Sequence, residues 1–257
     1  MSCRTCAGPA EPGFARCYQC ERARSEAGGL LADAVAAAGY AVRGGRLAGD
    51  LYRYKSAETA DGAARQAAAR LTRRLGAFLA GQGPELWRAA GMTAGPAAAA
   101  VVPSGQGRPG PHPLAAIVRS CLDLPQVRLA VRPAEVHGRG VNPDWVRVGS
   151  PVAGVDVLVV DDTWVSGGSA QSVAAALKQA GARRVAVVVL GRHVNPADRR
   201  SERFLAALSP PAAPVRQQDE TITVARKGER RAVRLADLHR AGNHGGTQPG
   251  RPRDPQR

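Results

Sequence analysis

A chain of 257 residues, 44% hydrophobic and only 4% aromatic, accommodates one full α/β domain with a small appendage, and its core must rest on Val, Leu and Ala. A net charge of +15 suits an anionic partner such as nucleic acid, anionic lipid or a phosphorylated ligand, but the arginines are scattered and the wealth of Ala, Arg and Gly also fits a GC-rich genome. No run approaches the roughly 18 to 20 apolar residues of a membrane span, and MSCRTCAGPAE has no apolar signal-peptide core, so the expectation is a cytoplasmic protein with reduced cysteines.

Four of the five cysteines fall at the start: Cys3, Cys6, Cys17 and Cys20, in the pattern C-x2-C-x10-C-x2-C. Each C-x2-C pair makes a tight knuckle that aims two thiolates at one point, and two knuckles complete a closed tetrahedral Zn²⁺ site. The intervening AGPAEPGFAR offers turns and no core, so bound metal would supply the module's stability. Redox-active dithiols or free thiols are the competing readings. Cys121, alone in LAAIVRSCLDL, reads as a small core residue.

Downstream, ERARSEAGGLLADAVAAAG suggests a short helix pair interrupted at Gly28 and Gly29, and RLAGDLYRYKS a strand or turn region. Glu58 to Ala80 reads as a long helix, with Ala64, Ala68, Leu71, Leu75, Phe78 and Leu79 near one face. Ala97 to Gly105 reads as a buried strand stopped by Pro103, followed by a Gly/Pro-rich loop and a helix from Leu114 to about Leu122. Val127 to Val131 is a short strand, and HGRGVNPDWVRVGSPVAG is loop-rich. Val155 to Val160 is the strongest strand, Ser169 to Ala180 a helix, and Arg184 to Leu190 another strand. This alternation predicts a parallel sheet covered by helices on both faces. Beyond Pro210, TITVARK suggests a last strand and AVRLADLHR a helical turn. From Ala241 the Gly-, Pro- and Arg-rich sequence reads as a disordered tail.

The densest chemistry lies in VLVVDDTWVSGGS. Ligands of parallel α/β sheets bind at the carboxyl ends of strands, which is where Asp161 and Asp162 are expected. A glycine turn lets backbone N–H groups approach an anion, and the helix N-terminus adds more. With hydroxyls at Thr163, Ser166 and Ser169, the loop suits a phosphate monoester. The acids would repel that phosphate, so they must face sugar hydroxyls or a magnesium ion. G-x-x-x-x-G-K-[ST] and G-x-G-x-x-G are both absent.

This stretch resembles the phosphoribosyl-pyrophosphate (PRPP) motif of type I phosphoribosyltransferases, and a four-cysteine knuckle ahead of such a domain is similar to the ComF/GntX-type family. The resemblance covers roughly residues 47–192 plus the cysteine module. It implies a type I phosphoribosyltransferase-like α/β fold with a zinc-binding module and linker helix over 1–45, the main domain over 46–209, and a weakly structured to disordered tail over 210–257. It makes Asp161 and Asp162 the acids that meet the ribose hydroxyls, directly or through Mg²⁺ and water, and the catalytic candidates. Thr163, Trp164, Val165, Ser166, Gly167, Gly168 and Ser169 become the 5′-phosphate loop, with Val165 standing where many members have a hydroxyl. Ser104, Gly105 and Arg108 fall where the family has its pyrophosphate loop, with His112 a further basic candidate. HGRGVN (His137 to Asn142) echoes an Arg-Gly-Phe-Asn segment but falls later than in the family.

Three functions stay open. One is transfer of the phosphoribosyl group from PRPP to an unidentified base or amine, with Mg²⁺ and pyrophosphate release. A second is non-catalytic PRPP or nucleotide sensing. The third is a competence-type accessory whose zinc module and basic surface meet single-stranded DNA or a DNA-processing protein. A homodimer also stays open.

Overall fold

A computed structural model describes residues 1–56, 62–104, 112–132 and 140–208, together with the backbone of 221–225 and 230–234. Its centre is a seven-stranded sheet. Five strands run parallel: β1 (Ala34–Ala37), β2 (Tyr40–Val42), β3 (Ala98–Val101), β6 (Asp156–Trp164) and β7 (Arg184–Val194). The order is β3-β6-β7-β1, with β2 alongside the end of β7, so β1 and β2 behave as one broken strand. A hairpin of β8 (Thr221–Ala225) and β9 (Arg230–Arg234) continues the sheet antiparallel beyond β1. A separate two-stranded ribbon joins β4 (Leu129–Val131) to β5 (Val146–Val148). The expected mixed α/β class with a parallel sheet is what the molecule has.

The alternation of β6 divides the core in two. Val157 and Val159 face one side with helix α5 (Gly168–Gln179), Trp145 and the cysteine module. Leu158 and Val160 face the other side, covered by α2 (Arg46–Arg53), α3 (Gly62–Ala90) and α4 (Pro113–Cys121). Helix α1 (Tyr18–Ala27) grows out of the second cysteine knuckle, and α6 (Arg199–Leu208) follows β7. Among the described residues no helix is long and apolar enough to cross a membrane.

Several local expectations change. The second half of the expected helix pair is instead β1, whose AVAA is buried throughout between β7 and β8. Alanine's helical preference loses there to a site in mid-sheet. Strand β1 belongs to the main sheet. RLAGDLYR is helix α2, not strand or turn. Helix α3 runs ten residues past Ala80, through Pro84, because Gln82, Leu86 and Ala90 extend the buried stripe of Leu71, Leu75 and Phe78. Strand β6 continues through the two acids to Trp164, so the loop behind them is short. Ala232 to Arg234, expected to open a helical turn, lie in β9. The expected disordered tail from Ala241 lies outside the described residues.

Candidate functional site

The acids sit in the second half of β6, where the strand still pairs with β7 through Asp161–Val189, Thr163–Gly191 and Trp164–Arg192. Alternation sends the two carboxylates to opposite faces. Asp162, buried, accepts a 2.6 Å hydrogen bond from Tyr54 Oη and a 2.7 Å ion pair from Lys55 Nζ. Both donors lie in a 3-10 turn, Tyr54–Ser56, at the end of α2. Asp161, half-buried, accepts from the next residue's N–H at 2.8 Å. Burial, then the negative charge of Asp162, pushes the Asp161 carboxyl up to about 8. The adjacent acids therefore differ in kind. Asp162 is held by a lysine and a tyrosine hydroxyl, whereas the Asp161 carboxyl is pushed up by burial.

Past Trp164 the chain turns in three residues. Val165 is exposed, Ser166 half-buried, and Gly167 takes a left-handed conformation at φ +85. A Cβ on Gly167 would overlap the Trp164 ring, so this position needs glycine both for its backbone and for space. Ser166 Oγ accepts from Gly168 N–H at 3.3 Å, and Gln171 N–H makes the first helical bond back to Gly167. The opening N–H groups of α5 have no intrahelical acceptor and point toward the turn. Beneath them Ser172 Oγ donates to Gly168 O at 2.7 Å and accepts from Asn142 N–H at 2.9 Å. This pair anchors the start of α5 to the segment before Trp145. The arrangement is a backbone cradle beside a titratable carboxyl.

Of the second expected loop, Ser104 is described and Gly105 and Arg108 lie outside the described residues. Val101, the end of β3, pairs with Val160, so Ser104 leaves the sheet at the level of the acids. His112 caps α4, its Nδ1 accepting from Leu114 N–H at 3.2 Å. Tyr54 and Lys55 escaped the sequence reading, because nothing in RLAGDLYRYKS marks a lysine that will meet an acid over a hundred positions away.

The four cysteines converge. Their sulfurs all lie within 4.8 Å of one another, with Cys6 and Cys17 3.8 Å apart. Tetrahedral metal–sulfur bonds of ~2.3 Å put sulfurs roughly 3.8 Å apart, so the cluster fits a tetrathiolate metal. Cys3, Cys6 and Cys20 are buried and Cys17 half-buried. The module docks through Tyr40 Oη, which donates to Ala7 O at 3.0 Å, and through Gly8, which lies against the buried Arg192 guanidinium.

Between this module and the α/β core lies an open cleft of about 900 Å³. Arg4, Arg16, Arg24, Arg88, Lys178 and Arg184 line it against one acid, Asp33.

No protein-family model and no curated protein matches the chain. Among solved structures, it is similar to a hypoxanthine phosphoribosyltransferase from Staphylococcus aureus at 13% identity and a TM-score of 0.33, covering 51% of this chain and 74% of that one. A purine phosphoribosyltransferase from Pyrococcus horikoshii aligns at 15% identity and a TM-score of 0.30, over 51% of this chain and 88% of that one.

Proposed function

We propose that this protein binds PRPP and, with Mg²⁺, transfers its phosphoribosyl group to a base or amine with release of pyrophosphate. The observation that carries the reading is the junction of β6 and α5, where a half-buried carboxyl, a left-handed glycine turn and a helix N-terminus meet within eight residues. The turn from Thr163 to Ser169 receives the 5′-phosphate on backbone N–H groups and the Ser166 and Ser169 hydroxyls. Asp161 faces the ribose hydroxyls, and Mg²⁺ arriving with PRPP would favour its ionised form. Asp162 positions the edge of the site by fixing Lys55 and Tyr54. Ser104 stands where the pyrophosphate would leave. Catalysis on this plan comes from orientation and from stabilising the leaving group, with Mg²⁺ supplying charge neutralisation. The cysteine cluster is read as a structural Zn²⁺ site.

The decisive experiment is calorimetric titration of PRPP with and without Mg²⁺ on the wild type and Asp161→Asn, followed by a pyrophosphate-release assay over a panel of bases and amines. Binding that needs both Mg²⁺ and Asp161, with pyrophosphate release on one acceptor, supports the transferase. Binding without release assigns the chain to PRPP sensing. Equal affinity of the two proteins for PRPP removes the reading.

A second reading rests on the basic cleft, where six cationic side chains face one acid and would suit an anionic polymer. It predicts single-stranded DNA binding that weakens steeply with salt and falls in an Arg4→Glu, Arg88→Glu double variant. Binding that ignores those two charges would dismiss it.

A further inference from the structure

Arg192 lies in β7 with 7% of its surface exposed, yet no carboxylate pairs with it among the described residues. Its Nη1 donates to Trp164 O at 3.0 Å and to His193 O at 2.6 Å, and its Nε is buried with no hydrogen-bond partner. Carbonyl dipoles do not neutralise a buried guanidinium, and such a charge is costly without an anion. The nearest source of negative charge is the cysteine cluster. Gly8, in the loop after the first knuckle, lies so close over the guanidinium that a Cβ there would run into Nε. A tetrathiolate around a divalent cation carries a net charge of −2, which this arginine would partly offset.

The same side chain reaches the other site. Its carbonyl acceptor belongs to Trp164, the residue whose ring fills the space under Gly167. One guanidinium thus touches the metal module on one side and the anion turn on the other.

We propose that Arg192 is the counter-cation of the metal-loaded cysteine cluster and a positioning residue for the turn of Val165 to Ser169, so that metal loading orders the anion cradle. Removing the metal leaves the guanidinium without its anion, and the hold on the Trp164 carbonyl loosens with it. The coupling is reciprocal, so an anion seated in the turn tightens metal binding. The anion half of this inference rests on the proposed function, and the metal half stands without it.

The test uses the full chain loaded with Zn²⁺. Chelator competition gives the metal affinity, and hydrogen–deuterium exchange reads the amides of residues 165–169. Arg192→Leu should weaken metal binding about ten- to a hundredfold, as loss of an outer-sphere partner does, and should speed exchange across the turn. Arg192→Lys should keep more of the metal affinity, since it keeps the charge, while losing the protection of 165–169 that the fork-shaped donor provides. Stripping Zn²⁺ from the wild type should speed the same amides, and ribose 5-phosphate should slow zinc release. Should Arg192→Leu fail to fold, the lysine variant and the stripped wild type decide the matter. Exchange at 165–169 that stays within about twofold of the loaded wild type both in Arg192→Lys and in the stripped wild type overturns the proposal. Lack of any ribose 5-phosphate effect, with the exchange result intact, counts against the proposed function and leaves the metal-to-turn link standing.

Discussion

The cysteine module and the β6–α5 junction are held by opposite means. Residues 3–20 bury only small apolar side chains such as Ala7 and Ala10, and Phe14, their one large ring before Tyr18, is 66% exposed. Their order comes from sulfur chemistry. The β6–α5 junction is embedded in packing: Val157 to Val160 are fully buried, and the ring of Trp164 fills the floor of the turn. Its polar groups bond locally: Asp161 accepts from Asp162 N–H, and Ser166 accepts from Gly168 N–H. The difference teaches where chemistry is structural and where it is available. Cys20 has every reason to be closed off, whereas Asp161 is kept at the cost of its own ionisation.

The largest expected effect comes from breaking the side that has no packing to fall back on. Cys20→Ser, or removal of the metal, should let residues 1–17 come away from Tyr40 and Arg192. Losing a metal site belongs with changes above about 4 kcal/mol, or more than ~10 °C in Tm for a domain of this size. Thermal melts with limited proteolysis near Phe14 read it. A Tm drop of under ~2 °C would mean the module packs better than its composition suggests.

Gly167→Ala comes next. It puts a Cβ into the Trp164 ring at a backbone angle side chains avoid, for about 2 to 4 kcal/mol by urea titration. A cost under ~0.5 kcal/mol would show the turn free to rearrange.

Asp161→Asn should split the two regions' roles most cleanly, because it weakens Mg²⁺-dependent PRPP binding at least about tenfold while stabilising the free protein at neutral pH. A carboxyl raised to about 8 is protonated in the folded chain where the unfolded chain is already ionised. Its contribution to stability is therefore fully present below the ordinary carboxylate range and is lost as pH rises toward 8. The wild type should lose stability between pH 4 and 8 relative to Asp161→Asn. By the same linkage, PRPP with Mg²⁺ should release a proton on binding near pH 7, which calorimetry in two buffers detects. Parallel pH–stability curves for the two proteins would contradict this account of Asp161.

The smallest effect is Ser166→Ala. It removes one 3.3 Å bond to Gly168 N–H and should cost about 0.5 to 1 kcal/mol in stability, with a modest loss of phosphate affinity.

Features set by local spacing were readable from the sequence. The double C-x2-C pattern announced a cluster that does converge, and the aliphatic run into two acids announced the strand and the helix behind it. What escaped depended on distance along the chain. Nothing local distinguishes AVAA in a sheet centre from AVAA in a helix, since only β7 and β8 decide it. The separation of Asp161 from Asp162 follows from strand alternation once β6 is known to continue through them. The sequence reading ended the strand at Val160 and so treated the acids as a matched pair. Lys55, Tyr54 and Arg192 meet their partners only through the fold, and an arginine in an Arg-rich chain gives no sign of being the buried one.

The place of the β8–β9 hairpin has a consequence for solubility. Without it β1 would be the outer strand over Ala34 to Ala37, offering an apolar, uncharged ribbon with open N–H and C=O groups to any passing chain. The hairpin occupies that edge and carries Arg230, Arg231 and Arg234 on the strand that becomes outermost instead. The late segment thus covers an edge prone to self-assembly, so a chain cut after Leu208 should aggregate more readily than the full chain, as light scattering would read.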